Sequence, residues 1–246
     1  MKSIIGIFCL FSLLACHQRP AADLTIAVAS NMQFAMDDMV RVFENKTGLV
    51  CDLVTSSSGK LTAQIKEGAP FDLLVSADMK YPEELFRSGL STEHPVVYAY
   101  GSLVLLSTVN NYQPVMEDLT TQTIRHIAIA NPKTAPYGKA AMEVLQNYGL
   151  TDSIRHKLVF GENISQVNQF LVSGAAQIGF TAKSIALAPP MKERSRWTEI
   201  DESQYTPIAQ GVVIIDNPNS ARSRQFLDFL FSPEGQEVLQ KYGYTF

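Results

Sequence analysis

One repeated unit limits the folds open to this chain: a short apolar strand, a turn of small polar residues, then an amphipathic helix. Its clearest instance is Leu53-Val54-Thr55-Ser56-Ser57-Ser58-Gly59-Lys60-Leu61-Thr62-Ala63-Gln64-Ile65. Strand–helix alternation of this kind predicts an α/β fold with mostly parallel sheets. The turns also carry chemistry. The first N–H groups of a helix have no partner within it, and the helix dipole places partial positive charge at the same point. A Gly/Ser turn opening a helix is thus a cradle for an anion, and its hydroxyls add donors without adding charge.

Taken in order, Asp23 to Ala29 reads as a strand, followed by Ser30-Asn31 and a helix with Met32, Met36, Met39, Val40 and Phe43 on one face. Leu49 to Thr55 and Phe71 to Ser76 are further strands, and Tyr81-Pro82-Glu83-Glu84 starts a helix, Pro being tolerated in a first turn. Two stretches break the rhythm. Pro95 to Thr108 and Ile208 to Ile215 are long β runs that could each cross between two bodies. Between them lie strands His126 to Ala130, Lys157 to Phe160 and Gln177 to Thr181, helices Gly138 to Tyr148 and Ile164 to Val172, and a Pro/charge-rich connector from Pro189 to Trp197. Helices around Ser220 to Phe231 and Pro233 to Tyr242 close the chain. The expected architecture is two α/β lobes joined by two hinge crossings, residues 23–100 with 209–246 forming lobe 1 and residues 101–208 forming lobe 2.

Four strand-to-helix junctions share a character: Ala29-Ser30-Asn31-Met32, Ser56-Ser57-Ser58-Gly59, Thr134-Ala135-Pro136-Tyr137-Gly138 and Gly161-Glu162-Asn163-Ile164. Two fall in each expected lobe. Ligands of open α/β sheets lie beyond the carboxyl ends of the strands, where these junctions sit, so an inter-lobe cleft would gather all four. Ser30, Asn31 and Ser58 offer side-chain donors, and Ser58, Tyr137 and Ile164 offer main-chain N–H groups. Four helix termini supply roughly two positive charges in total, which matches a dianion without any Arg or Lys. A site rich in donors and poor in acceptors disfavours an oxyanion that keeps a proton. Glu162, the one acceptor in the set, is expected to face solvent, with an acceptor role left open. Taken singly, each turn is as well read as a helix cap or an ordinary turn; the joint pattern carries the ligand reading.

The N-terminus reads as a leader. Lys2 and the apolar stretch Ile4 to Leu14, too short to span a bilayer, run into Leu13-Leu14-Ala15-Cys16, which resembles the lipobox of bacterial lipoproteins. That resemblance implies removal of the leader before Cys16, a lipid on Cys16 anchoring the protein to a membrane, and a tether over residues 17–22. The alternative is an ordinary cleaved signal with Cys16 incidental. Either places the mature protein outside the cytoplasm. Besides Cys9 and Cys16 only Cys51 remains, so no internal disulfide or Cys-based metal site is available to the mature chain. A net charge of −4 and the lack of basic–aromatic interleaving argue against nucleic acid as a partner.

Several segments then become familiar: Ala27-Val28-Ala29-Ser30-Asn31, Ser57-Ser58-Gly59-Lys60-Leu61, Gly68-Ala69-Pro70-Phe71-Asp72-Leu73-Leu74-Val75-Ser76-Ala77-Asp78, Thr134-Ala135-Pro136-Tyr137-Gly138, Gln177-Ile178-Gly179-Phe180 and Lys241-Tyr242-Gly243-Tyr244. Together they resemble the extracytoplasmic molybdate-binding proteins of ABC transporters. The resemblance implies a type II periplasmic-binding-protein fold that closes on molybdate or tungstate, a membrane permease as partner, a monomeric state and no further cofactor or metal. It places the oxyanion ligands on Ser30, Asn31, Ser58, Tyr137 and Ile164. One departure is visible: some members carry a Tyr ligand where this chain has Ala182, in Phe180-Thr181-Ala182-Lys183. Asn31 is then the substitute donor, with Lys183 a further candidate expected to face solvent.

Other readings are weaker. A sulfate-type binding protein shares the same donor logic and differs in cavity size. A hydrolase using Ser58 as nucleophile and Lys60 as base lacks a Gly-x-Ser-x-Gly elbow. A regulator's effector domain conflicts with the leader and with the absence of a helix-turn-helix. Asp72 and Asp78 read as strand-end and turn residues or as part of a permease-facing surface, and His94, His126 and His156 share no metal-ligand spacing.

Overall fold

The computed structural model describes residues 22–91 and 93–246. The expectations for Cys16, the leader and most of the tether lie outside the described residues. Along the chain the elements are β1 (Leu24–Ala29), α1 (Gln33–Thr47), β2 (Cys51–Ser56), α2 (Ser58–Lys66), β3 (Leu73–Ser76), α3 (Lys80–Arg87) and β4 (Val96–Gly101). They continue with β5 (Leu103–Ser107), β6 (Ile127–Ala130), α4 (Pro136–Asn147), α5 (Thr151–Ile154), β7 (Leu158–Gly161), α6 (Ile164–Val172), β8 (Ile178–Ala182), α7 (Lys183–Leu187), α8 (Pro189–Lys192) and β9 (Arg196–Glu199). The last three are β10 (Ile208–Ile214), α9 (Ser220–Leu230) and α10 (Pro233–Lys241).

The strands form two five-stranded sheets with the same plan, β2-β1-β3-β10-β4 and β7-β6-β8-β5-β9. In each, three strands run parallel and two join antiparallel, so the sheets are mixed, more so than strand–helix alternation alone suggests. The long apolar run from Pro95 divides at Ser102: Gly101 still pairs with Ile208 in the first sheet, while Leu103 pairs with Ala182 in the second. This is one crossing. The other is not the run from Ile208, because all of β10 lies in the first sheet; the chain returns between β9 and β10. The expected connector Pro189 to Trp197 contains α8 and the start of β9, an edge strand whose charged, half-exposed sequence reads as loop.

Burial follows the predicted helix face. Met32, Met36, Met39 and Phe43 are fully buried against β1, β3 and the C-terminal helices, with Phe43 edge-on to Phe226 at 5.1 Å between ring centres. A second apolar layer containing Leu61, Leu74 and Leu85 covers the other face of that sheet, and the core around Leu103–Leu106, Ile127 and Val167 holds the second lobe. Gly48, in the left-handed region at φ 75°, terminates α1 as its position after the helix requires. These cores fix the carboxyl ends of β1, β2, β6 and β7, and hence the four turns.

Candidate functional site

The turn after β1 is a single 3-10 turn, Ser30–Met32, leading into α1; Ser58 and Ile164 are the first residues of α2 and α6, and Tyr137 is the second of α4. All five predicted residues, Ser30, Asn31, Ser58, Tyr137 and Ile164, are 3% exposed or less. The two lobes meet where these turns face one another. The Ile164 N–H donates to Ser30 Oγ at 3.0 Å, and the Gly59 N–H donates to the Thr134 carbonyl at 2.9 Å. Gly59 permits that approach: a Cβ there would stand 2.7 Å from Tyr81 Oη and 3.0 Å from Thr134 Cα. Ser165 Oγ donates to Gln33 Oε1 at 2.9 Å, Ser184 Oγ to the Asn31 carbonyl at 2.7 Å, and Tyr81 Oη to the Lys133 carbonyl at 3.3 Å, all between lobes.

The hydroxyls are arranged as donors. Ser58 Oγ accepts the Ala77 N–H at 3.0 Å, and Ser30 Oγ accepts from Ile164, which leaves each O–H hydrogen uncommitted. Ser57 Oγ, Thr134 Oγ1 and Tyr137 Oη are buried without a hydrogen-bond partner in the protein. Buried polar groups are nearly always satisfied, so the unpartnered Ser57 and Thr134 hydroxyls beside the starts of α2 and α4 are available to a polar guest, whereas Tyr137 Oη lies against Gly101 and Gln210. Burial pushes the Tyr137 and Tyr98 hydroxyls well above the ordinary tyrosine range and raises that of Tyr244, so all three stay neutral at physiological pH.

Charge sits at the rim. Lys60 pairs across the lobes with Glu162, both side chains remaining substantially exposed, so Glu162 has a partner and is not simply turned to solvent. Lys183 is committed to Glu199, which removes it as a stand-in for the missing Tyr. Ala182 is a buried strand residue paired with Leu103. Asp72 is 5% exposed and accepts from Thr25 N and from Asn217 and Asn219 Nδ2, a stapling role inside lobe 1 that removes it from any docking surface. Asp78 accepts from the Tyr81 N–H near the start of α3, and burial raises its carboxyl above the usual range. Among the described residues no group of His, Cys, Asp and Glu is placed to hold a metal ion.

Residue-level reading of the sequence missed Gln210, Tyr244 and Ser184. Asn31 Nδ2 donates to Gln210 Oε1 at 2.8 Å and to Tyr244 Oη at 2.9 Å, and Tyr244 Oη lies 3.2 Å from Ser184 Oγ. Gln210 had one available signal, an amide inside the otherwise apolar run Ile208-Ala209-Gln210-Gly211-Val212-Val213-Ile214-Ile215.

Two lobes with this shared strand order, hinged by two crossings and lined with donors where they face, define a solute-binding protein of the type II class. The sequence matches the family described as "Bacterial extracellular solute-binding protein" over residues 24–245, and the chain belongs to that family. It is 36% identical over 241 residues to the molybdate-binding protein ModA of Azotobacter vinelandii, covering 94% of this chain and 93% of that protein. It is 35% identical over 231 residues to ModA of Rhodobacter capsulatus, covering 92% and 89%. The solved Azotobacter vinelandii periplasmic molybdate-binding protein superposes with a TM-score of 0.86 at 31% identity, covering 91% of this chain and 99% of that one.

Proposed function

We propose that this protein captures molybdate, and tungstate as its close chemical analogue, between its lobes on the extracytoplasmic side of the membrane and delivers it to an ABC permease. The oxyanion contacts are assigned to Ser30, Asn31, Ser58, Tyr137 and Ile164. The moving bodies are residues 23–101 with 208–246 and residues 102–207, one residue from the expected bounds at each crossing because Gly101 pairs with Ile208 in the first sheet, and the protein acts as a monomer tethered through a lipid on Cys16.

The observation that carries the reading is the donor set itself. Ser30 and Ser58 each accept one main-chain N–H and keep an O–H hydrogen to offer, beside facing helix N-termini, while Lys60 and Lys183 are engaged by Glu162 and Glu199. Burying a dianion is tolerable only when its oxygens are hydrogen-bonded, and this set supplies hydrogens while its one carboxylate, Glu162, is engaged by Lys60 and not offered to a protonated oxygen. It therefore favours a fully deprotonated tetrahedral dianion over hydrogen phosphate. Kinship with two ModA proteins across nearly the whole chain favours molybdate over sulfate. The ligand joins donors from both lobes, so it stabilises the closed form by its extra affinity for that state.

The protein is a binding protein and not an enzyme. A Ser58/Lys60 hydrolase would need the Lys60 amine to take the Ser58 proton, yet Lys60 is paired with Glu162. Isothermal titration with molybdate, tungstate, sulfate and phosphate tests the assignment: saturable heat with the first two at one site per chain is expected. Heat with sulfate equal to that with molybdate, or none with molybdate, refutes it.

A further inference from the structure

We infer that Gln210 is the positioning residue of the site: with Tyr244 it takes both hydrogens of the Asn31 side-chain amide, so that Asn31 acts on the ligand through its main-chain N–H and not through its side chain. This rests on the functional reading above and sharpens it.

The pairing register of β10 against β4 shifts at this point: Gln210 pairs with Ala99 and Gly211 with Val97, so Tyr98 on β4 is the extra residue opposite them. Gly211 is required by the close approach of the β3–α3 turn, since a Cβ there would stand 2.6 Å from Met79 Sδ and 2.9 Å from the Asp78 carbonyl. Gln210 is fully buried. Its Nε2 reaches the Ile208 carbonyl at 3.2 Å and the Ala77 carbonyl at 3.4 Å, which fixes which end of the amide is which and turns Oε1 to Asn31. Asn31 Nδ2 has two hydrogens. One goes to Gln210 Oε1 and the other to Tyr244 Oη, so neither is left for an oxyanion. The donor remaining at this residue is its main-chain N–H, in the first turn after β1, where N–H groups lack helical partners.

The consequence is geometric. Asn31 becomes a strut that fixes the Ser30–Met32 turn against β10 and the C-terminal segment. Gln210 Nε2 also reaches the carbonyl of Ala77, just past the end of β3, and the Ala77 N–H engages the Ser58 hydroxyl. Through Ser184, which donates to the Asn31 carbonyl, lobe 2 reaches the same strut. Gln210 thus ties together the two lobe-1 turns that face the ligand.

Gln210→Leu and Tyr244→Phe test this, with molybdate, tungstate, sulfate and phosphate titrated into each and into the wild type. Side-chain amide exchange of Asn31 is followed by NMR. Asn31 amide hydrogens that exchange slowly in the wild type and rapidly in Gln210→Leu are expected. Gln210→Leu should weaken molybdate binding by about ten- to a hundredfold and narrow its preference over sulfate. Tyr244→Phe, which keeps the ring packing, should move both quantities the same way by less. Loss of melting temperature with an unchanged molybdate-to-sulfate preference would mean that Gln210 is merely structural and would overturn the inference. So would affinities within twofold of wild type, or rapid Asn31 exchange in the wild type. A wild type that binds none of the four anions would instead remove the functional reading, and the exchange measurement would still decide whether Asn31 is pinned.

Discussion

The Ile164 N–H of one lobe donates to the Ser30 hydroxyl oxygen of the other at 3.0 Å. Two residues 134 positions apart, each picked out because its turn opens a helix, satisfy one another across the cleft. The bond has a clear direction. Ser30 spends an acceptor and keeps its hydrogen, while Ile164 is the group a ligand must share or reclaim.

Ser58 and Lys60 separate a site built on donors from one built on charge. Ser58→Ala removes a fully buried hydroxyl and leaves the Ala77 N–H without its acceptor, so molybdate affinity should fall by roughly tenfold to a hundredfold, on the order of 1–3 kcal/mol. Lys60→Ala removes an exposed ion-pair partner and should cost less than about 1 kcal/mol. Titration calorimetry on both variants ranks them; the reverse order would mean the site is charge-based.

The Lys60–Glu162 pair spans the lobes at the rim, so its effect belongs to opening. Stopped-flow release of molybdate should be up to a few-fold faster in Glu162→Gln than in the wild type at low salt. The difference should vanish near 1 M salt, where the screening length is about 3 Å. A difference that persists at high salt would show that Glu162 does more than latch.

Gly59→Ala places a methyl against Tyr81 Oη and Thr134 Cα, both close to the inter-lobe bond from Gly59 N. The expected outcome is a protein that folds normally but closes incompletely. Small-angle scattering should show that saturating molybdate contracts the wild type and contracts the variant less. Equal contraction of both would mean that the turn yields without cost.

Cys51 provides a test of packing by pH. Burial pushes its thiol up to about 12, with Glu44, Asp23 and Asp72 adding repulsion. The thiol therefore stays protonated, and mass mapping should find Cys51 alkylated slowly at pH 8 in the folded protein and readily after denaturation. In the unfolded chain the thiol ionises from about pH 9, so between there and pH 12 the native state binds more protons and this group's contribution to stability declines as pH rises. Denaturant melts at pH 8 and 10.5 should show that decline, reduced in Cys51→Ala.

How much was legible follows the distance over which each feature is decided. The excess length of the run from Pro95 pointed to a crossing whose place, Ser102, only the pairing of the two sheets fixed. The helix Ile164 to Val172 and the apolar face from Met32 to Phe43 follow from periodicity within a few residues. The edge strand Arg196–Glu199 did not, because an edge strand tolerates charge on both sides and so loses its alternation. The place of β10 wholly within one sheet did not either, since an apolar run does not say which neighbours it pairs with.

The sequence by itself determined the local deficits: helix starts after Ala29, Ser57, Ala135 and Asn163 whose N–H groups have no partner along the chain, and hydroxyls placed beside them. Those arise from bonded neighbours and need no fold to be read. Only the tertiary structure decided which deficits are filled by protein and which stay open, because the partners are remote: Gln210 and Tyr244 for the Asn31 amide, Glu162 for Lys60, Ala77 for the Ser58 oxygen. A hydrogen bond between residues 179 positions apart depends on β1, β3 and β10 lying side by side in one sheet after the chain has passed through the second lobe and returned, and that is written in no one stretch of chain.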